Sequence, residues 1–137
     1  MSNKNLSIIF TGQGSQYSEM GVKLSSKYSW VKERYEQSSD ILGYDILKKQ
    51  ENPNLLNLTE YSQPAIFIYT SVLVDFVKDK IKSSSSNITL SGHSVGEYAA
   101  LFFANSLNFE DMLRVVKFRG EAMSVVSNPD KFMMYAI

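Results

Sequence analysis

Short apolar runs in this chain are separated by longer stretches with helical spacing. Leu6 to Phe10 is brief and isoleucine-rich, and it runs into Thr11-Gly12-Gln13-Gly14-Ser15, a turn composition. This reads as a buried strand followed by a loop. From about Met20 to Leu42 the pattern turns helical, in two pieces. Trp30, Val31, Tyr35, Ser38, Ile41 and Leu42 recur at spacings near three and four, and Gly43 is a stop signal. Asn52-Pro53-Asn54 is expected to open a loop. Ser62 is positioned to cap the next helix, with Pro64 in its first turn, where a missing N–H does no harm. Its apolar stripe is Ala65, Tyr69, Val72, Leu73, Phe76 and Val77, and its end falls near Lys80 to Lys82, where cations suit a helix C-terminus.

Ser83 to Ser86 then reads as a polar link, and Ile88 to Ser91 as a second short strand. Gly92-His93-Ser94-Val95-Gly96 is a tight turn, and Glu97 to Ala104 suits a buried helix. Asn108 caps a final helix to about Val126, with Glu110 and Asp111 favourable in its first turn. Asn128-Pro129-Asp130 breaks that helix, and Phe132 to Ile137 reads as a further strand. Two strand–turn–helix units separated by helices indicate an α/β layer fold with a parallel sheet.

Composition narrows the chemistry. The 137 residues are 44% hydrophobic and 20% charged, enough to bury the core of one domain. Lys+Arg and Asp+Glu stand at 14 each, so no phosphate-neutralising surplus points to nucleic acid. A local basic patch, such as Lys78, Lys80 and Lys82, remains compatible with that balance. The absence of cysteine excludes disulfides and thiolate metal sites, and the single histidine, His93, argues against a histidine-based metal cluster. No apolar run approaches the length of a membrane span, and the first ten residues do not form a secretory leader. The expectation is a soluble intracellular protein of the cytoplasm or of a plastid or mitochondrial matrix, with no membrane association.

Gly92-His93-Ser94-Val95-Gly96 matches G-x-S-x-G, the nucleophile elbow. Glycine two residues before and after the serine lets strand and helix approach closely, which lifts the hydroxyl above the sheet edge. The N–H groups of the following helix face the same spot, so that of Val95 is available to an oxyanion. The competing reading is an ordinary glycine-flanked turn. Gly12-Gln13-Gly14-Ser15-Gln16 lies at the same sheet edge. With Tyr17 where a third glycine belongs, it fails the dinucleotide fingerprint. It is either a plain turn or, through the N–H of Gln13, a second oxyanion donor. Arg119 shares a stripe with Met112, Val115, Val116 and Met123. It is either an edge residue with its head in water or an inward cation. His93 adjoins Ser94 on a tight bend, where side chains diverge. It reads as a supporting residue packed under the turn rather than as the base.

These motifs carry a resemblance. Phe10-Thr11-Gly12-Gln13-Gly14-Ser15-Gln16, Leu42-Gly43-Tyr44-Asp45, Ser62-Gln63-Pro64-Ala65, Gly92-His93-Ser94-Val95-Gly96-Glu97-Tyr98 and Phe118-Arg119-Gly120 with Met123 resemble, in order and spacing, the markers of the acyl-CoA:acyl carrier protein acyltransferases. The chain looks most like the malonyl transacylases of fatty acid synthesis, and polyketide acyltransferase domains share the motifs. The resemblance implies a three-layer, α/β-hydrolase-like core. It implies that Ser94 carries a malonyl ester, that the N–H groups of Gln13 and Val95 form the oxyanion hole, and that Arg119 pairs with the malonyl carboxylate while Gln63 lines the pocket. Malonyl-CoA and acyl carrier protein are the implied partners, with no metal or redox cofactor. Thr11 stands where the family has proline, and Lys131-Phe132-Met133 replaces a glycine-rich approach. Residues 1–137 are accordingly expected to be a partial acyltransferase domain. About 129–137 would begin a small ferredoxin-like subdomain lying, with the family's catalytic histidine, beyond Ile137. The chain is thus expected to be a fragment, a truncated product or a degenerate copy, poorly soluble because its sheet edge is uncovered. Two other readings stand beside transfer. One is a serine hydrolase of neutral esters, and the other is a remnant that binds acyl-CoA or carrier protein without turnover.

Overall fold

The computed structural model describes residues 5–84 and 87–126. The break after Val126 and the strand expected over Phe132 to Ile137 lie outside the described residues. The order is β1 (Asn5–Phe10), α1 (Val22–Lys27), α2 (Ser29–Leu42), α3 (Ile46–Glu51), α4 (Pro53–Leu56), α5 (Thr59–Ser84), β2 (Asn87–Gly92), α6 (Gly96–Phe103) and α7 (Phe109–Val126). β1 and β2 pair in parallel, from Asn5 opposite Asn87 to Phe10 opposite Gly92. Because the strands end level, the loops that leave them emerge side by side at one carboxyl edge. Along each strand, burial alternates. Leu6, Ile8 and Phe10, with Ile88 and Leu90, turn towards the helices, whereas Ile9 is 76% exposed on the open face.

Local signals explain most boundaries. Gly43 ends α2 at φ 80° with its N–H on the Ser39 carbonyl, 2.9 Å. The Asn108 Oδ1 accepts from Asp111 N at 2.9 Å and starts α7. The segment expected to be a loop at Asn52-Pro53-Asn54 is instead helical. Asp45 caps α3 by accepting from Lys48 N at 3.1 Å, and Asn52 caps α4 by accepting from Asn54 N at 3.0 Å. Both helices are short and gain stability by burying Ile46 and Leu56 in the core. α5 also begins earlier than expected. The Leu58 carbonyl accepts from Tyr61 N at 3.0 Å and Ser62 N at 2.9 Å, so a first turn forms upstream of Pro64 and Ser62 lies buried within the helix.

α5 is the central element and packs against α2, α3, α4, α6 and α7. Ala65, Ile66, Phe67 and Ile68 are buried in succession, so its first half is enclosed all round rather than amphipathic. The expected stripe fails further along, where Leu73 (40%) and Val77 (41%) are exposed. Phe67 stacks on Phe109 at 5.8 Å between ring centroids and meets Phe102 edge-on at 6.0 Å, tying α5, α6 and α7 together. Arg34 adds α2 to this cluster. Its guanidinium lies 4.2 Å from the Phe109 ring centroid, pairs with Asp75 at 2.8 Å and donates to Ser71 Oγ at 3.2 Å.

Two expected outcomes follow. Gly96→Ala should lose about 3 kcal/mol, because its Cβ would meet the carbonyl oxygens of Phe10 and Thr11. Gly43→Ala has open space around it and should lose only about 1 kcal/mol to the left-handed backbone. Urea denaturation of both variants separates the two costs. Alkaline pH offers a second check. Burial raises the Tyr35 and Tyr44 phenols, and the hydrogen bond to Tyr69 pushes Tyr17 up to about 12. Folded values above the unfolded value of about 10 mean stability that is complete below pH ~10 and lost as the pH rises beyond it. The urea midpoint should therefore fall between about pH 10 and 12, with tyrosinate absorbance rising late.

Candidate active site

Ser94 sits between the end of β2 and the start of α6 with φ at 55°, a left-handed conformation that non-glycine residues rarely adopt. The bend is held by backbone bonds: His93 N to the Phe10 carbonyl at 3.0 Å, Gly96 N to the His93 carbonyl at 2.9 Å, and Glu97 N to the Ser94 carbonyl at 3.1 Å. A Cβ on Gly92 would fall on the backbone of Gly96 and Glu97, and one on Gly96 would lie 2.7 Å from the Thr11 carbonyl oxygen. The two glycines therefore admit the strand ends and the helix start into one small volume. Ser94 keeps partial exposure there while Val95 is buried.

The loop after β1 lies against this bend. A Cβ on Gly12 would come within 2.6 Å of His93 Nδ1 and would fall on the His93 carbonyl oxygen. His93 is exposed, with its imidazole against Gly12. The expectation that it packs under the turn is corrected, because the Phe10, Gly92 and Gly96 backbones already fill that side. Among the described residues, the N–H groups of Gln13 and Val95 donate to no protein acceptor. Two unengaged donors therefore sit on the adjoining loops that flank Ser94.

Arg119 reaches Ser94 from α7. Its Nη2 donates to Ser94 Oγ at 2.9 Å and its Nη1 donates to Gln63 Oε1. Gln63, 1% exposed, donates in turn to the Met123 sulfur at 3.3 Å, and the Tyr98 ring centroid lies 5.6 Å from the Arg119 Cζ. The stripe expected along α7 is only partly correct. Met112 and Val116 are buried, but Val115 is 40% exposed and the core line continues through Gly120. A Cβ on Gly120 would stand 3.2 Å from the Thr59 carbonyl oxygen and from Glu60 Cα, so the bare glycine brings α7 against α5 beside Gln63. Among the described residues no carboxylate pairs with Arg119, and no group of three His, Cys, Asp or Glu is arranged to hold a metal.

Residues 8–134 match the acyl transferase domain family. This chain belongs to that family. A Haemophilus influenzae protein named malonyl CoA-acyl carrier protein transacylase is 36% identical over 98% of the chain and 43% of the relative. A Bacillus subtilis polyketide biosynthesis malonyl CoA-acyl carrier protein transacylase is 38% identical over 90% of the chain and 42% of the relative. The crystal structure of the Synechocystis malonyl-CoA:ACP transacylase superposes with a TM-score of 0.78 at 36% identity, covering 89% of this chain and 40% of that one. A malonyl-transacylase solved with a type II polyketide acyl carrier protein gives a TM-score of 0.74 at 33% identity, covering 89% of this chain and 40% of that one. The acyl transferase chain thus spans about two fifths of the length of these relatives, and its α/β class with a parallel sheet agrees with theirs. Among its described residues no helix is long and apolar enough to cross a membrane.

Of the residues singled out from the sequence, Ser94, Arg119, Gln63 and Val95 converge in this acyl transferase domain, with the Gln13 loop beside them. Sequence reasoning gave no role to Met123, Tyr98, Gln16, Asn57 or Thr59. Met123, Tyr98 and Gln16 stood inside recognised motifs, the first two at i+4 from Arg119 and from Ser94, a signal that was legible. The strain at Ser94 is testable without any substrate. Ser94→Gly should be more stable than Ser94→Ala by about 1 kcal/mol in urea denaturation, since both lose the hydroxyl and only glycine relieves the left-handed backbone.

Proposed function

We propose that this acyl transferase chain carries the nucleophile that moves a malonyl group from malonyl-CoA to the phosphopantetheine thiol of acyl carrier protein, in fatty acid biosynthesis. The observation that carries the reading is the Arg119 guanidinium, bonded at once to Ser94 Oγ and Gln63 and opposed by no carboxylate among the described residues. A half-buried cation with only neutral partners favours an acyl group that brings its own carboxylate, and the fork of Arg119 suits that carboxylate bidentately.

In this reading Ser94 Oγ attacks the thioester carbonyl while the N–H groups of Gln13 and Val95 hold the developing oxyanion. Collapse breaks the carbon–sulfur bond, coenzyme A leaves as the thiol, and the malonyl ester remains on Ser94. The carrier thiol then attacks that ester by the same route, and the Ser94 hydroxyl is restored. Arg119 and Gln63 keep the malonyl carboxylate away from the reacting carbonyl throughout. His93, against Gly12, is poorly placed to take the Ser94 proton. The family resemblance assigns that task to a histidine in a part of the domain this sequence does not contain. The reaction calls for no metal or redox cofactor. The Bacillus subtilis polyketide relative favours a second reading in which a polyketide carrier protein receives the same group.

Incubation with malonyl-CoA and intact-mass analysis tests the proposal. A malonyl adduct should form slowly on Ser94, its proton passing to solvent, vanish in Ser94→Ala and form about 100-fold more slowly still in Arg119→Ala. Acetyl-CoA labelling should depend little on Arg119. Hydrolysis of neutral esters that ignores Arg119 would instead identify a hydrolase, and ligand binding without any adduct would identify a remnant.

A further inference from the structure

The loop that offers the Gln13 N–H lacks the usual means of holding shape. Gln13, Gly14 and Ser15 are exposed, no apolar side chain anchors them, and Gly14 stands at φ 106°. Gly12 is buried against His93, but the exposed stretch beyond it, with Gly14, samples many conformations unless something outside it fixes one. An oxyanion donor works only when held at its position before the charge develops.

Hydrogen bonds from two glutamine side chains supply that restraint. Ser15 closes the turn by donating its N–H (3.2 Å) and its Oγ (2.8 Å) to the Gly12 carbonyl. Gln16 Oε1 accepts from Gly14 N at 2.7 Å, and Gln16 Nε2 donates to Asn57 Oδ1 at 3.1 Å. Gln13 Nε2 donates to Thr59 Oγ1 at 3.2 Å. Asn57 and Thr59 bracket the junction between α4 and α5, more than forty residues away in sequence. The same junction receives α7, because the Thr59 carbonyl oxygen is one of the atoms that a Cβ on Gly120 would press. Thr59 therefore touches both the loop of the oxyanion donor and the helix of the guanidinium.

We infer that Gln16, Asn57 and Thr59 are positioning residues, which clamp the 12–16 loop to the start of α5 and so set the Gln13 N–H relative to Ser94 and Arg119. The inference rests on the reading of Gln13 as an oxyanion donor. Gln16 suits the task because one amide accepts from the loop and donates to the junction, which neither methionine nor glutamate does in full. Thr59 needs only its hydroxyl, so Thr59→Val removes the Gln13 arm of the clamp at nearly constant shape while Thr59→Ser preserves it.

Single-turnover acylation of the full chain by malonyl-CoA is the test. Thr59→Val and Gln16→Met should lower the maximal acylation rate about 10-fold, a fraction of the cost of losing an oxyanion donor outright. The half-saturating malonyl-CoA concentration should stay within about twofold, since the Arg119 fork is untouched, and Thr59→Ser should restore the rate. Wild-type rates in Thr59→Val and Gln16→Met, with Ser94→Ala unreactive, would overturn the clamp and leave the transfer reading intact. So would a loss that appears only in half-saturation, or one that Thr59→Ser fails to rescue. If malonyl-CoA does not acylate the wild-type chain, the transfer reading fails and a fluorophosphonate decides the clamp alone. That reagent forms an Oγ–phosphorus bond at Ser94 as fluoride leaves with the hydroxyl proton, and its phosphoryl oxygen uses the same N–H donors. Slower labelling of Thr59→Val, restored in Thr59→Ser, upholds the clamp. Equal labelling, or none in the wild type, overturns it.

Discussion

Backbone crowding where α6 crosses the ends of β1 and β2 is the constraint on which the site depends. Gly92 and Gly96 have no room for a Cβ, and Gly12 has none because His93 stands over it. These three bare positions bring two strand ends, a loop and a helix start within van der Waals contact. Ser94, left at the apex, takes up a left-handed conformation that would otherwise be disfavoured. The strain is offset by the backbone bonds on either side and by burial of Val95 and Ala99 beneath the bend. A serine held this way is fixed at the apex of the bend, beside two N–H groups that no protein acceptor engages among the described residues.

Two half-buried arginines show how the same side chain serves different ends. Arg34 meets Asp75, Ser71 and the Phe109 ring, so its charge is compensated and it joins α2, α5 and α7. Arg119 meets Ser94, Gln63 and the Tyr98 ring, all of them neutral. A desolvated guanidinium without a counter-ion is costly, and the cost is relieved when an anion arrives. Folding thus leaves a deficit at the site and none in the core. α5 makes the difference, since it supplies Asp75 to one arginine and an amide to the other.

Much of this was legible before the structure. Both strands, the G-x-S-x-G bend, the Gly43 stop and the Asn108 cap follow from signals spanning a few residues, where local sterics and capping decide. Three kinds of feature were not legible. The short helices α3 and α4 lack the length to declare themselves and depend on burying Ile46 and Leu56. The outward faces of Leu73, Val77 and Val115 depend on which neighbours arrive on which side. The contacts of Gln16 with Asn57 and of Gln13 with Thr59 join residues too far apart for any periodicity to signal.

The amino-acid sequence by itself determined a serine on a glycine-flanked bend between a strand and a helix, because backbone crowding at such a bend is a local property. Periodicity and turn composition left Arg119 undecided between solvent and cleft, and Gln13 undecided between plain turn and donor, and only the family resemblance chose between them. Only the tertiary structure decided the direction of Arg119. A guanidinium at the edge of an amphipathic helix turns towards whichever partners the rest of the chain provides. Here Gly120 lets α7 close on α5, and Gln63 and Ser94 are the groups within reach.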